Sequence, residues 1–277
     1  MEIELDLRKG VAENASTYFE KSKKAKKKLE GLVKSIEDTR SRLEKLKEKQ
    51  FLLEEEEKAV PLKKREKKWF EKFHWFYSSN GFLVIAGRDS RTNEEIIKKY
   101  MEKDDLYFHA EIQGSPHCII KTNKSEVPSS IMNEAAQFVA SFSKGWREKL
   151  SSLDVYSVLP EQVSKKAPSG ESMKSGSFMI YGKRNYFKKI PLELAIGVKK
   201  EGEEFIVISG PLTAIKKNSI AFVKVIQGEE KKGIAAKKLK ELLEKKLGLN
   251  EKLDLDEIIA MLPAGGTNIG EGVGNAG

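Results

Sequence analysis

Hydrophobic residues near the N-terminus recur at the spacing of one long helix. Two interleaved series with seven-residue steps run through residues 14–60; they are Leu29, Ile36, Leu43 and Gln50 in one and Leu32, Thr39, Leu46, Leu53 and Val60 in the other. Charged segments fill the positions between them. A repeat sustained in this way predicts a coiled-coil helix. Pro61 is expected to end or kink it, because proline lacks the amide hydrogen that a helix interior needs.

A second helical segment is predicted over residues 62–76, where a charged run leads into a cluster of tryptophan and phenylalanine. Two helical segments meeting near Pro61 predict an antiparallel hairpin in which each arm buries the apolar seam of the other. A single arm would instead need a second chain to cover its seam. The sequence leaves open whether the coil pairs within one chain or between two, and so leaves the oligomeric state open.

From Phe76 onward the apolar pattern becomes that of short strands. Segments rich in β-branched and aromatic residues alternate with turn residues; they cover residues 82–87, 106–112, 117–121, 155–159, 177–182, 192–198, 204–209 and 220–226. Helical patterns interrupt them at residues 91–101, 131–142 and 233–248, the first with Thr92 and Glu95 at capping-box spacing. This irregular order predicts an α+β fold with a mixed or antiparallel sheet and flanking helices, preceded by a long helical coiled-coil hairpin.

The change of pattern also predicts the domain organisation. Residues 1–75 are expected to form a coiled-coil region and residues 76–262 a globular domain. Residues 263–277 are rich in glycine, and we expect them to form a flexible tail, disordered beyond about Ile269.

Composition narrows the class of protein. The chain has 277 residues, of which 39% are hydrophobic and 34% charged, and it contains one cysteine, Cys118. It has no apolar run of about 18 residues, the length a membrane-spanning helix needs, and its N-terminus lacks the pattern of a secretory signal. A single cysteine fits a reducing compartment. We therefore expect a soluble cytoplasmic protein without a membrane partner.

The residues that could carry chemistry do not form a recognisable active site or metal site. His109, His117 and Cys118 match no common zinc spacing, and neighbouring strand residues face opposite sides of a sheet. Cys118 lies in an apolar run, where a cysteine is usually buried and inert. The glycine-rich segments within residues 169–187 lack the spacing of nucleotide-binding loops. The sequence therefore predicts no metal, no cofactor and no catalytic residue.

Five carboxylates could act as acid–base or metal-binding groups: Asp89, Glu94, Glu95, Asp104 and Asp105. Asp89 precedes a predicted helix and the two glutamates lie in its first turn, where the helix dipole favours acidic side chains. A structural role therefore explains them better than catalysis. An enzyme acting on nucleic acid would require these acids to converge on a bound metal.

The formal net charge of +9 indicates a polyanionic partner. Between Glu161 and Lys189 there are seven basic residues against two acidic ones; the basic residues are Lys165, Lys166, Lys174, Lys183, Arg184, Lys188 and Lys189. Tyr181, Tyr186 and Phe187 are interleaved with them. Cations reach phosphates and exposed aromatic rings stack on unpaired bases, so this segment predicts an RNA-contact surface. A second cluster, six lysines between Lys21 and Lys28, is explained equally well by a solvated helix face.

Residues 69–121 resemble the signature of the NFACT-R domain. The resemblance rests on a Trp/Phe-rich entry, a strand, GRD, Asn-Glu, an Asp–aromatic–His element and Gly-Ser; these residues are Trp69, Trp75, Gly87, Arg88, Asp89, Asn93, Glu94, Asp105, His109, Gly114 and Ser115. The upstream ENASTYFEKSKKAKKK is similar to the start of the family's coiled-coil middle region. The downstream GPLTAIKKNSIAFVKVIQG and LPAGGTNI are similar to its C-terminal end.

The resemblance implies an archaeal-like ribosome quality-control factor that binds large ribosomal subunits carrying peptidyl-tRNA and recruits tRNA. The implied partners are the large subunit, rRNA and tRNA, with ribosomal proteins contacted by the coiled coil. The family's N-terminal domain and its helix-hairpin-helix are not recognised here, so we expect a C-terminal part or a shortened member. Residues for tRNA-directed elongation are expected in that N-terminal domain, and none is assigned.

The predicted RNA-binding residues combine the basic segment with the family signature; they are Arg88, Arg91, His109, Lys165, Lys166, Lys174, Lys183, Arg184 and Lys188. Asp89, Asn93 and Glu94 are expected to hold the turn and the helix start. For His109, stacking at an exposed strand end and burial are both open. The alternative function is a protein-interaction or dimerisation module that works through the coiled coil.

Overall fold

The computed structural model describes residues 4–8, 10–58, 66–165, 176–249 and 253–275, and within these ranges it describes no side chains for residues 44–58 and 271–275. Two compact units are formed, Met1–Glu66 and Lys67–Gly277. In the first unit, α1 (Val11–Lys58) confirms the predicted long helix. Asn14 holds the preceding segment to its first turn, because its side chain accepts the Asp6 N–H and donates to the Asp6 carbonyl.

The predicted apolar series lies on the surface of α1. Leu29, Leu32, Ile36 and Leu43 are all more than half exposed, at 62, 52, 54 and 51%. Because the described part of the first unit leaves this stripe uncovered, an interaction with another surface would bury it.

The predicted second arm of the hairpin is wrong where it can be compared with the structure. Part of it falls on residues 59–65, outside the described residues. Trp69–Lys72 is a single 3-10 turn and His74–Tyr77 is a strand. Phe70, Phe73 and Trp75 are buried in the core of the second unit, so the aromatic cluster starts that unit at Lys67 and not after residue 75.

The second unit contains two large antiparallel sheets and a small hairpin. The first sheet has the order β1-β2-β4-β3-β5-β8 and the second β10-β9-β11-β12, and the hairpin pairs β6 with β7. The strands are β1 His74–Tyr77, β2 Leu83–Ala86, β3 Leu106–Ala110, β4 Cys118–Lys121, β5 Ser152–Val158, β6 Val163–Ser164, β7 Met179–Ile180, β8 Asn185–Pro191, β9 Glu193–Glu201, β10 Glu204–Gly210, β11 Ala221–Gln227 and β12 Thr267–Asn275.

Short helices connect and cover the sheets, which confirms the α+β fold. They are α2 Ser90–Glu95 with the π-helical turn Ile96–Tyr100, α3 Ser129–Ser141, α4 Lys144–Arg147, the 3-10 turn Pro160–Gln162, α5 Leu212–Asn218, α6 Lys232–Leu247 and α7 Leu255–Met261. The predicted capping box at Thr92 and Glu95 is displaced. Asp89 is the N-cap of α2, and its carboxylate accepts the Thr92 N–H at 2.8 Å. No helix in the described ranges has the length and apolarity needed to cross a membrane.

The predicted flexible tail is wrong over most of its length. β12 pairs antiparallel with β11, with Thr267 opposite Gln227 and Asn275 opposite Ala221. Thr267 is fully buried, and the indole N–H of Trp146 lies 3.1 Å from the Gly266 carbonyl and 3.2 Å from the Thr267 hydroxyl. The glycines suggested disorder, but here they lie in an outer strand.

The first sheet separates two hydrophobic cores. On one face, Phe108, Cys118 and Ile120 pack with α3 in the larger core. On the other face, Tyr107 and Ile119 pack with the aromatic cluster of the 3-10 turn. The second face continues across β5 to β8, where it reaches solvent.

Candidate nucleic-acid interface

Strand alternation divides the signature residues of β3 and β4 between the two faces. Phe108 is paired with Cys118 and faces the larger core. Tyr107 and His109, one position to either side, face the other way. The Cys118 thiol is fully buried, and burial raises its pKa far above the ordinary value. The predicted burial of this cysteine is thereby confirmed.

On the second face, four rings form a continuous line across the strands, which we call the aromatic row: His117, His109, Tyr156 and Tyr186. Ring centroids are 5.0 Å apart between the two histidines, 5.9 Å between His109 and Tyr156, and 6.0 Å between the two tyrosines. The register explains the line, because His109 is paired with Tyr156 and Tyr156 with Tyr186.

The inner end of the row is fixed by hydrogen bonds. The Tyr107 hydroxyl lies 2.6 Å from Nδ1 of His117, and the His117 backbone N–H donates to the Asn93 side chain at 3.0 Å. A Cβ on Gly87 would lie 2.0 Å from the Asn93 side-chain oxygen. Gly87 is therefore required by this close approach.

Both histidines of the row are neutral at physiological pH. Burial lowers the pKa of His109 to about 4. Burial, together with the repulsion of His109, lowers the pKa of His117 to about 3. His109 is half-buried, so it lies between the two alternatives left open by the sequence. As a neutral, half-buried ring, His109 offers stacking surface and not charge, whereas His117 is buried beneath the surface.

The outer end of the row is accessible. Tyr186 is 42% exposed, and nearby Tyr181 is 48% exposed. The guanidinium carbon of Arg184 lies 4.5 Å from the Tyr156 ring centroid, and Lys188 Nζ lies 4.3 Å from that of Tyr186. Aromatic surface and positive charge therefore lie together at the β8 edge.

We call four cations of this surface the basic rim: Lys183, Arg184 and Lys188 near the β8 edge, and Lys165 beside Phe178 at the His117 end of the row. Three of them contact carboxylates from other elements. Arg184 lies 2.7 Å from Glu111, Lys188 lies 2.8 Å from Asp154, and Lys165 pairs with Glu94. Lys183 is exposed and forms no ion pair with any described residue. The charge of the segment is thus partly neutralised by acids that are distant in sequence.

Phe178 extends the surface toward α2. Its ring lies 5.3 Å from that of His117, edge-on, and Lys165 Nζ lies 5.9 Å from its centroid. Glu94 also pairs with Lys98 at 2.6 Å. Glu94 was expected to hold a helix start, but it joins α2 to the β6–β7 hairpin, where Lys165 follows β6.

The other predicted residues are distributed differently. Lys166 and Lys174 lie outside the described residues. Arg91 is exposed and lines a shallow surface cleft with Glu94, Glu95, Lys98 and Lys99. Arg88 is not part of the row, because its Nη2 donates to the carbonyl of Phe73 at 3.0 Å and, more weakly, to that of Glu71. The described residues contain no group of three His, Cys, Asp or Glu that could hold a metal ion.

Four members of this surface were missed at the sequence level: Tyr156, Phe178, Glu111 and His117 as a ring partner. β8 itself was not predicted as a strand, since its residues are mostly exposed on both sides and lack a hydrophobic alternation. The missing information was strand order. Once β3 is known to lie between β4 and β5, alternation alone places these rings on one face.

Comparison with known proteins places this surface in a family context. Residues 72–182 match the family described as the NFACT protein RNA binding domain. Residues 1–68 match the one described as the NFACT N-terminal and middle domains. The first match contains the aromatic row except for Tyr186.

The chain is also similar to named relatives. It is 42% identical over 217 residues to the archaeal Rqc2 homolog aRqcH of Methanocaldococcus jannaschii, covering 77% of this chain and 31% of that protein. It is 37% identical over 197 residues to the ribosome quality control complex subunit NEMF homolog of Drosophila melanogaster, covering 71% and 20%. The chain thus spans less than a third of the length of either relative.

Proposed function

Because the chain belongs to the NFACT family, we propose that its second unit is the RNA-binding module of a ribosome quality-control factor. The module would hold RNA without catalysing a reaction. Its proposed partners are large ribosomal subunits carrying peptidyl-tRNA, with rRNA or tRNA as the contacted molecule, in the cytoplasm. The observation that supports this proposal is the aromatic row, which ends in an exposed tyrosine bordered by the basic rim.

The chemistry of the surface suits unpaired nucleotides. An exposed Tyr186 can stack on a base, a contact worth about 1–3 kcal/mol, and stacking requires the base to be free of its neighbours. Lys183 can meet a phosphate directly. Arg184 and Lys188 would exchange Glu111 and Asp154 for phosphates, so each gains only the difference between the two contacts.

The proposal is tested by co-sedimentation with large ribosomal subunits, with and without peptidyl-tRNA, over a salt series. The test variant is Lys183→Gln with Lys188→Gln. The matched control is Lys103→Gln with Lys217→Gln, which removes the same charge from exposed positions without ion pairs among the described residues. A salt-sensitive affinity that falls about tenfold in the test variant alone would support the surface. Equal affinities for the two variants would exclude it.

A second candidate function rests on the first unit. We propose that the exposed stripe of α1, which includes Leu32 and Ile36, docks a protein, either a ribosomal protein or a second copy of the chain. Leu32→Gln with Ile36→Gln should lower the solution mass measured by light scattering if the chain pairs with itself. The same variant should lower subunit binding at high salt if the partner is ribosomal. If neither changes, the stripe has no such role.

A further inference from the structure

Trp69 is exposed, unlike the two other tryptophans of the chain. It is 46% exposed, whereas Trp75 and Trp146 are 4% and 0% exposed. The sequence expected Trp69 to be part of a helical arm, but it opens the 3-10 turn at the start of the second unit. A ligand that covered this ring would remove a large apolar area from water.

The indole of Trp69 is held flat against Tyr100. The two ring centroids are 4.5 Å apart and the planes are inclined by 10°, while the Phe70 ring meets Trp69 edge-on at 5.6 Å. Tyr100 is itself fixed, because Lys72 Nζ donates to its hydroxyl at 3.0 Å and the Phe73 ring packs edge-on at 5.5 Å. One face of the indole is therefore covered and oriented, and the opposite face is left for another flat ring.

This ring pair and the aromatic row lie at the margin of the same core. Phe70 and Tyr156 are buried together on the second face of the first sheet, and Tyr100 packs against them. Trp69 contacts Phe70 and Tyr100, just as the exposed Tyr186 contacts Tyr156. The core thus carries two exposed rings, one at the β8 edge and one at the 3-10 turn.

The end of α2 links the two regions through ion pairs. Lys72, which holds Tyr100, pairs with Glu95 at 2.8 Å. The preceding residue, Glu94, pairs with Lys165 of the basic rim, which lies beside Phe178 of the same surface. The ring pair is therefore continuous with the candidate nucleic-acid interface.

Cations are available between the two regions. The surface cleft of α2 is lined by Arg91, Glu94, Glu95, Lys98 and Lys99. Lys98 and Lys99 pair with the two acids at 2.6 and 3.3 Å. Arg91 is exposed and forms no salt bridge with any described residue. It can therefore meet a phosphate between two stacked bases.

The surroundings of Trp69 favour a nucleic-acid base over the side chains of a protein. Its neighbours along the chain include Lys67, Lys68 and Lys72, all exposed. Protein-docking surfaces surround a buried tryptophan with apolar side chains and are depleted of lysine. A flat ring among lysines is instead the combination that binds single-stranded nucleic acid.

We propose that Trp69 is a second base-stacking position of this surface, and that its ligand is an unpaired base of the bound RNA. The inference rests on the proposed function and extends the RNA contact from the β8 edge, past α2, to the 3-10 turn. Stacking needs a base that is free of its neighbours, so the ligand is a single-stranded segment and not a duplex.

The first test follows the tryptophan fluorescence of the full chain during titration with an oligouridylate of about twelve nucleotides. A base stacked on an indole quenches its emission, so the wild type should be quenched as the RNA binds. Trp69→Phe keeps a ring for stacking and should bind within about threefold of the wild type. Its quenching should disappear, because Trp75 and Trp146 are buried.

The second test measures affinity by anisotropy of the labelled oligouridylate. Trp69→Leu removes the flat ring but keeps an apolar side chain, and it should lower the affinity about five- to tenfold. Ile234→Ala is the matched control, because it removes apolar surface from a residue of α6 that is 51% exposed. It should leave the affinity unchanged. Thermal melting checks folding, and if Trp69→Leu does not fold, the quenching of the wild type and of Trp69→Phe decides.

The outcomes distinguish this inference from the proposed function. RNA that binds without quenching, equal quenching by an RNA duplex, or a Trp69→Leu affinity no lower than that of Ile234→Ala would overturn the stacking position. Weaker binding of Trp69→Leu to ribosomal subunits alone, with unchanged oligouridylate affinity, would assign the ring to a protein contact and also overturn it. In these cases the basic-rim variant still decides the proposed function. If the wild type binds neither oligouridylate nor subunits, both fail.

Discussion

A buried ion pair joins the turn after the π-helical segment to β4. Lys121 Nζ lies 2.7 Å from Asp105 Oδ2, and the two side chains are 11% and 1% exposed. Both side chains make a further hydrogen bond. Lys121 donates to the Tyr100 carbonyl at 2.9 Å, and Asp105 accepts the Glu102 N–H at 2.8 Å. Removal of Asp105 would leave Lys121 with only the exposed Glu102 carboxylate, at 3.3 Å, as a counter-ion.

We therefore expect Asp105→Asn to lower the free energy of unfolding by about 3 kcal/mol or more, measured by urea denaturation. Asp104→Asn, an exposed neighbour, is the control and should change it by less than about 0.5 kcal/mol. Equal effects of the two substitutions would mean that the buried pair contributes nothing specific.

The neutral histidines of the aromatic row predict a pH dependence of stability. Their folded pKa values, about 4 for His109 and about 3 for His117, lie below the unfolded value of 6.5. The unfolded chain therefore binds more protons below pH 6.5, and stability is full above this pH and is lost as the pH falls toward 4. Each histidine contributes up to about 1.4 kcal/mol per pH unit in that window.

Urea denaturation of the wild type and of His109→Gln with His117→Gln, between pH 7 and pH 5, tests this expectation. The variant should lose stability less steeply, although His74, whose pKa is also lowered by burial, keeps its own share. Equal pH dependence of stability in the two proteins would contradict the lowered pKa values of these histidines.

At the scale of elements, β12 covers the outer side of β11 in the second sheet. Truncation after Ala264 would expose β11 and leave the Trp146 indole N–H without its two acceptors. An unsatisfied buried donor costs about 1–3 kcal/mol, so the melting temperature should fall by about 5 °C or more. Removal of residues 276–277 alone is the control. If both truncations behave alike, the C-terminal segment contributes no strand.

The individual strands and helices show which parts of the fold can be predicted from the sequence. Strand patterns such as FLVIAG and EFIVIS were predicted because they are apolar and β-branched, and β2 and β10 confirm them. The predicted second helical arm was wrong because the aromatic rings of WFEKFHWF lie in the core of the second unit. Tertiary packing decides this outcome, and the local pattern does not show it. The predicted flexible tail was wrong because glycine indicates flexibility only at the local level. The pairing of this segment depends on β11, about 40 residues earlier.

The candidate site was predictable in kind and less so in geometry. Lys183 and Lys188 are exposed and Arg184 is half-buried, and their contact with RNA stays a prediction. Their ion pairs with Glu111 and Asp154 could not be seen, because these acids come from other strands. Arg88 was chosen as a free phosphate contact, whereas the fold directs part of its guanidinium to the Phe73 carbonyl.

At the scale of the whole molecule, the ion pairs of Arg184 with Glu111 and of Lys188 with Asp154 reduce the contribution of the net charge to RNA binding. If the basic rim alone contacts RNA, its four cations can meet about three or four phosphates. The logarithm of affinity should then fall with the logarithm of salt at a slope of about −2 to −4.

Fluorescence anisotropy with a labelled oligoribonucleotide, between about 50 and 200 mM salt, measures this slope. A slope steeper than about −6 would require more cations than the surface supplies. It would show that cations outside the basic rim contact the RNA, and the lysine cluster Lys21–Lys28 of α1 would then be tested by substitution.

The buried thiol of Cys118 in β4 can serve as a probe of local opening of the fold. Cys118 is the only cysteine of the sequence, and it is fully buried beneath α3. A maleimide can modify it only after the first sheet and α3 separate, so the labelling rate measures how often that separation occurs. Labelling that slows when RNA is added would reveal that binding damps the motion, and labelling as fast as in a free peptide would contradict the burial.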